Sequence, residues 1–158
     1  MAVHLRPMDA GDLDCVMHVE VRAYAFPWTR GIFIDCLRAN YECWVLEKDD
    51  EVIGHGVLSV AAGEAHLLNV CICRDHQGFG FGRTLVEHML DRAQRRAAEV
   101  VFLEVRLSNE VSCRYFSNIR PTLRVVRRLP NLFTNSGASG PAFSRADNLR
   151  TASHCRNA

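Results

Sequence analysis

Three glycines at alternate positions, Gly78, Gly80 and Gly82, separate a run that reads as a strand from one that reads as a helix. After them, Leu85, Val86, Met89, Leu90 and Ala93 recur at the spacing of one helical face. Before them, Tyr41 to Glu47, Val52 to Ala61 and Glu64 to Ile72 each read as a strand, with turns at Lys48-Asp49-Asp50 and Gly63. Connections that short join antiparallel neighbours, so these segments form a meander. Val100 to Val105 is apolar and β-branched between charged flanks, as a buried strand is. It follows the meander through a helical crossover, which makes it parallel to the strand before the glycines.

The N-terminal part adds a short strand, His4-Leu5-Arg6-Pro7, and two helices. Asp9 or Asp12 offers an N-cap for the first, whose apolar face carries Leu13, Val16, Met17 and Val19-Glu20. Pro27 disfavours helix at Phe26. Thr29 can cap a second helix bearing Ile32, Phe33, Cys36 and Leu37, and Asn109 a last one towards Asn118. The fold class is therefore α/β (α+β): a mixed, mostly antiparallel central sheet flanked by helices.

Residues 1–119 read as one domain, and 120–158 as an Arg/Ser-rich irregular tail. Charge divides at the same place. Residues 1–119 hold 12 basic and 17 acidic side chains, whereas 120–158 hold seven arginines and one acid, Asp147. The seven cysteines include no Cys-x-x-Cys pair and read as reduced, mostly buried thiols with no metal role. No apolar run approaches the roughly 20 residues that span a bilayer. The first residues lack a charged-then-apolar signal, so a soluble cytoplasmic protein is expected.

Two segments carry chemistry. In Gln77-Gly78-Phe79-Gly80-Phe81-Gly82-Arg83, glycines let main-chain amides approach an anion, and the helix start supplies unpaired amides and a positive dipole end. A pyrophosphate suits such a cradle. The Gly-Lys-Ser/Thr ending of a nucleotide P-loop is absent, and a meander in place of an early βαβ unit argues against a dinucleotide fingerprint. In the second segment, Glu104 interrupts an apolar strand. A buried carboxylate there would be a stronger base near neutrality. His55, His66, His76 and His88 are scattered and receive no catalytic role.

Together, Gln77-x-x-Gly80-x-Gly82 before an amphipathic helix, a strand ending near Glu104, and Ser108-Asn109 resemble the acetyl-CoA site of the GNAT superfamily. Ala23-Tyr24-Ala25-Phe26-Pro27-Trp28, Asn69-Val70 and Leu103-Glu104-Val105-Arg106 resemble its RimI-type branch, the ribosomal-protein-alanine N-acetyltransferases. The resemblance spans about residues 4–112. It implies a splayed strand pair with a bulge near Val70-Cys71-Ile72, where the pantetheine arm inserts like an added strand. It also implies pyrophosphate on the amides of Gly78, Phe79, Gly80, Phe81, Gly82 and Arg83, and an amide near Cys71 or Ile72 polarising the thioester. Asn109 would contact the cofactor, Glu104 would act as base, and Phe26 and Trp28 would frame a cleft for a small N-terminal residue. The donor is acetyl-CoA and the acceptor a ribosomal protein N-terminus; the rival readings are a GNAT acetyltransferase for another amine and a catalytically impaired acetyl-CoA-binding domain. No metal, membrane or nucleic-acid partner is implied.

The sequence departs from the family towards its end. The family's tyrosine stands twelve residues after the glutamate; that position is Phe116, and Tyr115, the candidate acid, falls one residue early. Arg120-Pro121 replaces a Gly-Phe pair. Loss of reading frame between about Ser112 and Arg120 accounts for the tail's composition, and a basic RNA-docking arm is the rival reading. Without the family's closing strands, an edge of the fifth strand would lie exposed.

Overall fold

A computed structural model of the chain describes residues 2–104, 112 and 114–116, together with the backbone of 124–128. Its strands are β1 (Val3–Pro7), β2 (Glu42–Lys48), β3 (Glu51–Ala61), β4 (Glu64–Ile72), β5 (Val100–Glu104) and β6 (Arg124–Arg128). Its long helices are α1 (Leu13–Ala23), α2 (Arg30–Arg38) and α3 (Phe81–Arg95). The strands form one sheet in the order β1-β2-β3-β4-β5-β6. The first four pair antiparallel; β5 runs parallel to β4, and β6 parallel to β5.

Local chemistry sets the boundaries. Asp9 and Asp12 form a reciprocal capping box around the turn that precedes α1. Thr29 caps α2, its hydroxyl accepting from the Ile32 amide at 3.4 Å. Ahead of Pro27, α1 stops at Ala23, and Tyr24 is extended at φ −121° and ψ 141°. The turn after β2 places Asp49 and Asp50 at φ 51° and 64°, the left-handed pairing that suits a tight hairpin.

The sheet carries a helix layer on each face. Leu46, Ile53, Leu58, Leu67, Val70 and Ile72 pack with Leu85, Val86, Met89, Leu90 and Ala93 of α3. Each of those α3 residues is at most 6% exposed, and burying a large apolar side chain contributes about 1.5–3 kcal/mol. The alternate residues Cys43, Val45 and Val57 face Leu13, Val16, Phe33 and Cys36 of α1 and α2.

Two features of the sheet differ from the sequence reading. The bulge lies earlier on β4: Val57 pairs with Asn69 and Leu58 with Leu67, so Leu68 is the extra residue, not one of Val70–Ile72. Asn69 then follows Leu68 onto the α1 face, where it reaches a carboxylate of that helix. Second, β6 falls within the segment read as irregular. Arg-Val-Val-Arg-Arg is too short to show a period, yet two adjacent β-branched residues suit a strand. Val100 to Glu104 pair with Arg124 to Arg128, so β6 covers the edge of β5 that was expected to lie open. The rest of the tail, and the choice between its two readings, lies outside the described residues.

Candidate active site

β4 outlasts its neighbour. The parallel ladder runs from Glu64–Val100 to Leu67–Leu103, and β4 continues to Ile72 with no described strand beyond Leu67 on that side. This is the expected splay. Main-chain groups of alternate residues on a strand face the same edge. The Cys73 amide donates to Ile53 O of β3 at 2.7 Å, which turns Cys71 and Cys73 towards β3 and Val70 and Ile72 towards the open edge. Side-chain donors confirm this: the Tyr24 hydroxyl donates to Val70 O at 2.6 Å, and Gln77 Nε2 to Ile72 O at 2.8 Å. With those carbonyls engaged, the amides of Val70 and Ile72 are the donors left for a ligand on this edge. Cys71, expected among the cofactor contacts, turns its main chain to β3, and its side chain packs with Val19, Ala23 and Tyr24.

The glycine loop leads from this edge into α3. Gly78 and Gly80 have φ of 83° and 86°, and nothing lies within 4 Å of where a Cβ would stand on either. That open space leaves room for an anion to approach the main chain. Gly80 is the N-cap of α3, and Thr84 donates its amide back to Gly80 O at 3.1 Å. The amides of Phe81, Gly82 and Arg83 are therefore first-turn donors without an acceptor inside the helix. Phe79 is 73% exposed beside them.

Val101 and Leu103 pack into the α3 side of the core, so Glu104 at the end of β5 faces the α1 side, half-buried. It is less enclosed than an apolar strand suggested, because Leu103 before it points to the opposite face. The residues expected to frame the acceptor separate in character. Phe26 is 73% exposed, whereas Trp28 is half-buried against Phe33, ring centroids 5.3 Å apart. Tyr115 is half-buried, with Arg83 over its ring at 5.8 Å, and Phe116 joins the α3-side core. Burial, then the Glu87 charge, pushes the Tyr115 phenol upward, so it keeps its proton at neutral pH. Asn109 lies outside the described residues.

The GNAT acetyltransferase family matches residues 13–118. The [ribosomal protein bS18]-alanine N-acetyltransferase of Escherichia coli K12 is 30% identical over 121 residues, covering 77% of this chain and 82% of that protein. A crystal structure of the ribosomal-protein-S18-alanine N-acetyltransferase from Escherichia coli superposes with a TM-score of 0.70 at 29% identity, covering 73% of this chain and 75% of that one. A GNAT acetyltransferase from Brucella melitensis, solved with acetyl-CoA, superposes with a TM-score of 0.55 at 25% identity, over 65% of this chain and 75% of that one.

This chain belongs to the GNAT acetyltransferase family. It is an acetyl-CoA-dependent N-acetyltransferase. No helix among the described residues is long and apolar enough to cross a membrane.

The structure also gathers residues to which the sequence reading assigned no role. Glu20 of α1, His55 of β3 and Asn69 of β4 are each 0% exposed. Glu20 Oε2 lies 2.8 Å from His55 Nε2, and Asn69 Nδ2 reaches the same carboxylate at 3.3 Å. Glu20 Oε1 accepts the Trp28 amide at 2.9 Å. The available signal was Glu20 itself, a carboxylate on the buried face of an amphipathic helix. Glu20, His55 and Cys71 bring ligand-type atoms within 4.8 Å of one another. Burial, then the Glu20 charge, holds the Cys71 thiol well above its ordinary range, and the thiol points at Val19 O. Both carboxylate oxygens of Glu20 are already engaged, by the Trp28 amide, His55 and Asn69, so the cluster reads as a hydrogen-bonded network. Burial likewise lifts the Cys36 thiol to about 11 and the Cys43 thiol to about 12, as expected of inert, reduced cysteines.

Proposed function

We propose that this acetyltransferase transfers an acetyl group to the N-terminal alanine amine of a ribosomal protein, in the cytoplasm. The activity for which the Escherichia coli relative at 30% identity is named supports the acceptor class. Supporting it from within the chain, Glu104, Phe26 and the α1–α2 loop all belong to the sheet face opposite α3. An acceptor amine delivered along that face meets the donor where β4 and β5 part.

In this reading, the amides of 78–83 hold the pyrophosphate, and the Val70 and Ile72 amides hold the arm and polarise the thioester carbonyl. An α-amine has a pKa of about 8, so removing its proton requires only a modest base, and Glu104 takes it directly or through water. The amine nitrogen attacks the carbonyl carbon, the C–S bond breaks, and Tyr115 returns a proton to the departing thiolate. Exposed Phe26 rests on the first residue of the acceptor, and Trp28 fixes the loop from beneath. Mass spectrometry of peptides tests this. A peptide beginning with alanine is acetylated on its α-amine; preference for an internal lysine over that amine would overturn the assignment.

A further inference from the structure

We propose that Glu20 is a positioning residue that sets the acceptor loop against the donor strand. The idea rests on reading residues 26–28 as the acceptor wall. Its own support is a chain of directional contacts through the otherwise apolar space between α1 and the sheet. One carboxylate oxygen accepts the Trp28 amide at 2.9 Å. The other meets His55 Nε2 at 2.8 Å and Asn69 Nδ2 at 3.3 Å. Asn69 is the residue the β4 bulge turns onto this face, one position before Val70. Tyr24, four residues after Glu20 and four before Trp28, donates to Val70 O at 2.6 Å on the open edge. A single side chain thus fixes a main-chain point of the loop and, through Asn69, the strand that offers donor amides.

Complete burial makes these bonds exacting. A buried carboxylate without donors is costly, so the amide of Trp28 and the side chains of His55 and Asn69 are held where they satisfy it. His55 in turn sits edge-on to Phe33, ring centroids 5.3 Å apart, and Phe33 packs against Trp28. The loop's position is therefore set from its main chain by Glu20 and from its indole by Phe33. Glu20 does not touch the reacting atoms in this account; it acts through the wall it places.

Two conservative variants separate reach from charge. Glu20→Asp keeps the charge and withdraws the carboxylate by about 1.5 Å, one carbon–carbon bond, which breaks the bond to the Trp28 amide. Glu20→Gln keeps the reach and removes the charge. Positioning predicts that Glu20→Asp raises the KM for an alanine peptide about tenfold and leaves acetyl-CoA affinity within about twofold, while Glu20→Gln restores most of the peptide KM. Hydrogen exchange at the Trp28 amide should quicken at least about tenfold in Glu20→Asp alone. An unchanged peptide KM in Glu20→Asp, or a KM that rises in both variants in step with their melting temperatures, would overturn the proposal. The exchange measurement needs no acceptor, so it stands apart from the acceptor assignment. If wild type ignores alanine peptides, that assignment fails; if Trp28 exchange is equal in both variants, the positioning role fails.

Discussion

Gly80→Ala isolates the donor cradle from ordinary folding strain. Gly80 caps α3 at φ 86° and ψ 2°, and a Cβ added there meets nothing within 4 Å. The cost is therefore backbone strain alone, about 1–2 kcal/mol for an L-residue in the left-handed region. For a chain of this size each kcal/mol lowers Tm by about 2–4 °C, so the variant should melt about 2–8 °C lower. Relief of that strain rotates the start of α3 and turns its first amides away from an anion. Losing one hydrogen bond to a charged group costs about 1.5–3 kcal/mol, so acetyl-CoA should bind about 10- to 100-fold more weakly. Gly63 is the matched control: at φ 77°, it too has nothing within 4 Å, but it lies in the β3–β4 turn at the far end of β4 from Ile72. Gly63→Ala should lose similar stability and keep its acetyl-CoA affinity, by calorimetric titration. Equal loss of affinity in both variants, or in neither, would refute the cradle.

Further predictions concern charge, thiols and the phenol. Burial pushes Glu42 upward, but hydrogen bonds from Arg92, Trp44 and Arg96 win and hold it at about 2, against an ordinary 4.5. A shift of that size corresponds to at most about 3 kcal/mol; solvent screening at the arginines, 29% and 44% exposed, reduces it to about 1–2 kcal/mol. Because the folded pKa is depressed, this stability is present above the unfolded carboxylate range and disappears as pH falls through about 2. Urea titrations should show wild type more stable than Glu42→Gln at pH 6, the gap closing towards pH 2; a gap independent of pH would contradict the pairing. A thiol reagent at pH 8 should modify exposed Cys15 and spare Cys36, Cys43 and Cys71 until the chain unfolds, as read by peptide mapping. Tyr115→Phe should lower kcat about 10- to 1,000-fold while leaving acetyl-CoA binding intact; full activity would remove the phenol from the reaction.

Much of the fold was legible because periodicity and turn chemistry are local. The α3 face, the hairpin at Asp49-Asp50 and the Thr29 cap each follow from a few adjacent residues, and the structure has all three. The glycine loop was legible for the same reason. The bulge at Leu68 was not, since a one-residue offset appears only when β4 is aligned against β3. β6 escaped notice because five residues rich in arginine carry no period, and the parallel partner supplies what composition does not. Burial of Glu104 was overread: alternation along β5 turns it to the face opposite Val101 and Leu103. The Glu20–His55–Asn69 cluster joins residues 35 and 49 positions apart, and nothing in the chain's order announces that separation.

The most direct check of the whole account is single-turnover acetyl transfer by Glu104→Gln, measured beside its affinity for acetyl-CoA. A carboxamide keeps the shape of the side chain at the end of β5 and cannot accept the amine proton. The account predicts donor affinity equal to wild type and a transfer rate reduced about 10²- to 10⁴-fold near neutrality, with the deficit shrinking as rising pH deprotonates the amine in solution. Transfer at the wild-type rate across that pH range would contradict it.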